Sequence, residues 1–292
     1  QQLGRGLRLY KGKEYLNVLD FIGNYEKAGK APLLLSGEQS FNKKGSCEYQ
    51  DLEYPDDCIV DFDMRLIDLF KEIDKKKLTL KMQIRQEYYR VKELLDGKRP
   101  SRMDLFTYMD DEIYRICVSG SHAKENPFQH YLDFLYELDE LSEDEQKLYA
   151  GIGREFIQTI ETTEMQKVYK MPILYSFYNH GNIRLAVTDE EVLESWKEFF
   201  DTGTNWKDFP NVNTYEDYKK VTDKQHLSKA KRMPIRFLKA SGKGFFVEKD
   251  RYALALRDEI GEVAGNMAFG EQMGDVLGYR SLEYYRRRYE KE

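Results

Sequence analysis

The sequence predicts a mainly α-helical chain of α+β character, with one α/β-like stretch near its start. Three observations carry that reading. The run YLNVLDFIG at 15–23 is short, apolar and closed by glycine, the pattern of a strand buried on both faces. From about residue 57 onward the apolar residues recur at helical spacing instead. Ser101, Ser142 and Thr188 are each followed three residues later by an acid, the reciprocal capping pattern that opens a helix.

In chain order, Gly12 and Lys13 supply a turn before the apolar run, and a Gly-, Lys- and Ser-rich connector follows it. Leu66, Ile67, Phe70 and Ile73 predict a helix over 65–75, and Ile84, Tyr88, Val91 and Leu95 predict another over 80–96. Gly97 stands where a left-handed residue ends that helix, and Ser101 with Asp104 starts the next, the outline of a helix-turn-helix. Further helices are expected over 127–141, over 142–165 and from Thr188. KMPILYSFYNHG (170–181) and RMPIRFLKASGKG (232–244) echo one another, each with proline at an early helical position and glycine two turns later. FFVEKDRYALAL (245–256) reads as a hairpin turning at Lys249, Asp250 and Arg251, and a helix followed by a hairpin is the ending of a winged-helix unit. An aromatic and basic helix, MGDVLGYRSLEYYRRRY, closes the chain.

Bulk properties narrow the function classes. The 292 residues suggest about two domains, 41% hydrophobic content suffices for packed cores, and a net charge of −6 confines any nucleic-acid role to local basic patches. No run of 18 apolar residues predicts a membrane span. Cys47, Cys58 and Cys117 are too scattered for a zinc knuckle or a disulfide framework. His122, His130, His180 and His226 lack a second ligand at metal spacing, so no metal site is expected. Trp196, Phe199, Phe200 and the aromatics at 175–178 are read as core.

Gln1, Gly4, Arg5 and Arg8 form Q-x-x-G-R-x-x-R. This resembles motif VI of superfamily 2 helicases, the DEAD/DEAH-box-type ATPases, over about the first 25 residues. KMPILYSFYNHGNI and YYRRRY are more loosely similar to the long C-terminal extensions of bacterial members. The resemblance implies that residues 1–45 are the remnant of a second RecA-like α/β domain. A helical region with a helix-turn-helix-like hairpin (46–165) and a helical, winged-helix-like region (166–292) would follow. It further implies that Arg5 and Arg8 reach ATP and Mg²⁺ held on the first RecA-like domain of the intact parent, where a guanidinium stabilises charge spreading over the γ-phosphate. Gln1 would help position the attacking water or the interdomain contacts, and Gly4 and Gly6 would let the backbone come close. No phosphate loop and no D-E-x-[DH] motif occur in these residues, so the chain alone holds neither ATP nor Mg²⁺ and is expected to be inactive. With no initiator methionine before the motif, the chain is expected to be the C-terminal part of a cytoplasmic helicase.

Three basic segments are candidates for touching DNA or RNA. They are Lys98, Arg99 and Arg102 in the first turn; Lys224, Lys229, Lys231, Arg232, Arg236, Lys239 and Lys243 in the middle; and Arg286, Arg287 and Arg288 at the end. The alternative expectation is a non-enzymatic helical adaptor that binds protein partners, its basic residues merely solvated.

Overall fold

The chain divides into two units, Gln1–Thr79 and Leu80–Glu292. A computed structural model describes residues 79–179 and 181–289. The strand expected at 15–23, the helix at 65–75, the domain at 1–45 and the motif residues Gln1, Gly4, Arg5 and Arg8 lie outside the described residues.

Leu80–Leu94 forms helix α1, whose buried Ile84, Tyr88 and Val91 are the stripe read from the sequence. It stops because Asp96 (φ 54°) and Gly97 (φ 80°) are left-handed, and the Gly97 N–H returns to the Lys92 carbonyl at 2.9 Å. Helix α2, Arg102–Tyr108, starts at a full capping box: Asp104 N–H donates to Ser101 Oγ at 3.1 Å, and Ser101 N–H to the Asp104 carboxylate at 2.8 Å. Asp110 caps α3, Asp111–Val118.

Two expected helices are each broken into shorter pieces. The one at 127–141 divides into a 3₁₀ turn, Pro127–Gln129, and α4, Tyr131–Glu137, because His130 leaves helical geometry (φ −148°, ψ 45°). The one at 142–165 opens at Ser142 as expected. It then divides at extended Gly151 (φ −113°, ψ −170°) into α5, Glu143–Ala150, and α6, Ile152–Thr162. A first core gathers Ile84, Tyr88, Leu105, Phe128 and Leu135, with Tyr279 inserted from the end of the chain.

The larger core is built from the remaining elements. Helix α7, Lys170–Phe177, runs into a small hairpin, β1 Tyr178–Asn179 and β2 Asn182–Ile183, turned at Gly181 (φ 91°). Strand β3, Ala186–Val187, leads into α8, Asp189–Asp201, which starts at the expected Thr188–Glu191 capping box. Short helix α9, Tyr215–Lys219, precedes α10, Asp223–Ala230, which continues through a π turn, Lys231–Ile235, into α11, Arg236–Ser241. The second half of the echo therefore differs from expectation: Pro234 sits inside a continuous helix. A proline has no N–H for the i→i−4 ladder, and one extra residue per turn absorbs the defect. The expected hairpin follows as β4, Phe246–Val247, and β5, Leu254–Leu256. Strand β5 also pairs with β3 (Val187 opposite Leu254), giving the antiparallel order β3-β5-β4. Trp196 and Phe200 are fully buried here, as the aromatic spacing suggested.

The last helix, α12, Met267–Tyr289, packs on α2, α5, α6 and α7. Its Phe269, Met273, Val276, Leu277 and Tyr284 enter the larger core and its Tyr279 the smaller, so one helix joins both. Gly270 permits that approach: a Cβ there would lie 1.8 Å from the Gly181 carbonyl oxygen.

Candidate nucleic-acid interface

The middle basic segment lies on the continuous helix 223–241 and the hairpin after it. Thr222 and Gln225 form a capping box at its start. Two ion pairs fasten it along α8: Lys197 to Asp223 at 2.8 Å and Lys231 to Asp189 at 2.6 Å. His226, Ala230, Pro234, Ile235 and Leu238 face the core. Lys224, Arg232, Arg236 and Lys243 are exposed, and among the described residues no ion pair engages any of these four. Arg232 and Arg236, four residues apart, are neighbours on one helical face.

Lys229 is half-buried with its ammonium 5.2 Å from the centre of the Tyr169 ring. Burial first, then Arg232 and Lys167, hold its pKa below the ordinary lysine value. Lys167 is neutralised by buried Asp208 at 2.8 Å, so Lys229 and Arg232 make the local positive field here, which attracts polyanions. Lys239 is engaged by Glu248, tying α11 to the hairpin. Gly242 lets the chain turn there, since a Cβ would meet the Phe246 ring at 2.3 Å and the Leu238 carbonyl at 2.5 Å.

Sequence reasoning passed over two aromatics on this surface. Phe237 is 42% exposed between Arg236 and Leu238, and Tyr252 is 44% exposed beside Arg251 at the hairpin turn. Exposed rings next to guanidinium groups can stack unpaired bases. A signal was present: Phe237 falls off the helical stripe made by Ile235 and Leu238.

The other two candidate segments are placed differently. The Arg102 side chain has no exposed surface with which to meet a phosphate. Its guanidinium donates to Glu161 at 2.5 Å, Gln272 at 2.7 Å and Asp275 at 2.8 Å, and lies 4.4 Å over the Tyr131 ring. Burial opposes ionisation of both members of the Arg102–Glu161 pair and pushes the Glu161 carboxyl up, while Glu161 and Asp275 hold Arg102 charged. Arg99 bridges Glu145 at 2.8 Å and the Glu140 carbonyl at 3.1 Å. This turn is an internal staple between α2, α6 and α12. At the chain's end, Arg286 pairs with Asp111 at 3.0 Å, Arg287 with Glu283 at 3.5 Å, and Arg288 with buried Asp208 at 3.2 Å. Tyr284 also donates to Asp208, at 2.8 Å.

Among the described residues, no group of three or more His, Cys, Asp or Glu could hold a metal ion, and no helix is long and apolar enough to cross a membrane. No protein-family model matches this chain, and no curated protein or solved structure matches it.

Proposed function

We propose that the chain is the nucleic-acid-binding C-terminal part of an ATP-dependent superfamily 2 helicase of the cytoplasm, gripping a strand through the 223–241 helix and the β4–β5 hairpin. The observation that carries this reading is the set of exposed, unpaired cations on the helix that feeds the hairpin (Lys224, Arg232, Arg236) and on the turn between them (Lys243). The order of elements gives further support: helix α7, then, after the small β1–β2 hairpin, strand β3, helix α8, short helix α9, the long helix, and a hairpin whose second strand pairs with β3. Apart from those two insertions the order resembles the connectivity of a winged-helix unit, in which the long helix would take the recognition position.

The catalytic half of the proposal rests on the opening sequence. Arg5 and Arg8 would act on ATP and Mg²⁺ across the cleft to the first RecA-like domain, and a moving motor needs a second hold on the strand. The adaptor reading draws its own support from Arg102, Arg286 and Arg288, whose charges are each paired with a carboxylate of the chain.

Fluorescence anisotropy with single-stranded oligonucleotides of unrelated sequence tests the proposal. The chain is expected to bind all of them at low salt. The Arg232→Gln/Arg236→Gln/Lys243→Gln variant is expected to lose roughly tenfold or more in affinity for each, because phosphate contacts carry no sequence information. Absence of binding at low salt, or a variant that binds unchanged, favours the adaptor.

A further inference from the structure

Among the described residues Phe237 is the only exposed phenylalanine. It lies on the continuous helix 223–241, just beyond the π turn and next to Arg236. The buried positions of that helix recur every four residues, at His226, Ala230, Pro234 and Leu238, with Gly242 after its end. Phe237 falls outside that row and belongs to neither hydrophobic core. Among the described residues no other ring packs on it, and the Arg236 guanidinium lies 5.2 Å from the ring centre.

The size of its neighbours leaves the ring open. Side chains of a helix lean towards its N-terminus, so the residues that would cover Phe237 are those three and four places on, Ala240 and Ser241. Both are small, and the Ser241 hydroxyl is turned back to donate to the Phe237 carbonyl at 2.7 Å. A lone exposed apolar side chain is ordinary on a protein surface. This one is set apart by the cations around it. Arg232 and Arg236 precede it on the helix and Lys243 follows in the turn, all three exposed and, among the described residues, in no ion pair. Groups that hold phosphates therefore stand before and after an open aromatic face.

We propose that Phe237 is a base-stacking platform, and that it makes this surface take an unpaired strand in preference to a duplex. The platform rests on the helix–hairpin reading above: Arg232, Arg236 and Lys243 hold phosphates, and Phe237 receives the face of a base. In a duplex the faces of each base are covered by its neighbours. A groove then offers only base edges, whose donors and acceptors a phenyl ring cannot answer. An unpaired strand of DNA or RNA offers the faces themselves. Every base has one, so the ring selects for strands that are single and not for sequence.

Fluorescence anisotropy of the full chain with an oligothymidylate and with an abasic strand of the same length reads the ring out, since the two carry the same phosphates and differ only in bases. Wild type is expected to prefer the thymidylate by roughly tenfold, the size of stacking one base. Phe237→Ala and Phe237→Leu are expected to remove that preference, because leucine restores the apolar bulk without a π face. Phe237→Tyr is expected to hold it. Stacking releases no counterions, so the slope of log K against log salt is expected to change far less in Phe237→Ala than in the Arg232→Gln/Arg236→Gln/Lys243→Gln variant. Repeating the comparison with oligouridylate separates the two sources: the platform serves the strand whose affinity Phe237→Ala lowers more. Wild type that binds thymidylate and abasic strand alike, or a Phe237→Ala variant that keeps the preference, overturns the platform and leaves the phosphate contacts standing. Wild type that binds neither strand at low salt overturns the helix–hairpin reading, and the platform with it.

Discussion

At Arg102 a guanidinium wholly inside the protein is met by Glu161, Gln272 and Asp275. Its nearest partners in sequence are 59 residues away and its furthest 173, so no local pattern separates it from a solvated arginine in a basic turn. Composition sees charge, and only packing sees burial. Arg102→Ala is expected to cost about 3–5 kcal/mol, because it strands two carboxylates in the interior. Combining Arg102→Met with Glu161→Gln and Asp275→Asn is expected to recover most of that loss. Urea denaturation measures both, and an Arg102→Ala variant as stable as wild type would deny the network its role. His226 gives a pH test on the same scale. It is buried against the Phe209 and Tyr218 rings with Nδ1 unpartnered, and faces Lys197 and Asp201 of α8 and Asp223 of its own helix. Burial, reinforced by Lys197, lowers its folded-state pKa below the unfolded value of 6.5. The unfolded chain therefore takes up the proton first, and the stability tied to neutral His226 is full above that value and is lost as pH falls below it. Between pH 7.5 and 5.5, wild type is expected to lose more stability than His226→Phe. Parallel pH profiles would contradict the assignment.

At the scale of elements, helix starts were legible and helix interiors were not. Ser101, Ser142 and Thr188 all cap as the spacing indicated, because a capping box is decided by four consecutive residues. The breaks at His130 and Gly151 depend on what packs nearby: just past the second, Gly153 in the first turn of α6 comes so close to α5 that a Cβ there would lie 2.1 Å from Leu148 Cδ1. The strands β1, β2 and β3 are two residues each, too short to leave an alternating pattern. Helix α12 offers a matched pair of substitutions. Gly270→Ala drives a Cβ into the Gly181 backbone and is expected to destabilise by about 1–3 kcal/mol or more. Gly278→Ala meets Met103 only at ordinary contact, 3.7 Å, and is expected to be neutral or to stabilise by up to about 1 kcal/mol, since alanine is the better helix former. Equal effects at the two positions, read by thermal unfolding, would show that the close approach of α12 to the β1–β2 turn is not a constraint.

Across the described residues, the sequence foretold a helical protein with a hairpin before its last helix but not how the hairpin is completed. Strand β3 joins β5 from 67 residues earlier (Val187 to Leu254) and makes the hairpin a three-stranded sheet. Of the candidate interface, the basic helix was legible as a run of lysines and arginines. Which of them are free was not, since Lys231 and Lys239 are claimed by Asp189 and Glu248 while Arg232, Arg236 and Lys243 are left to solvent. The salt dependence of single-strand binding tests this division directly. Each phosphate that the protein no longer neutralises should flatten the plot of log K against log salt by about 0.7. The Arg232→Gln/Arg236→Gln/Lys243→Gln variant is expected to reduce the slope by roughly 2, and the Lys231→Gln/Lys239→Gln variant by far less, with circular dichroism unchanged in both. Equal reductions from the two variants, or none from the first, would contradict the account.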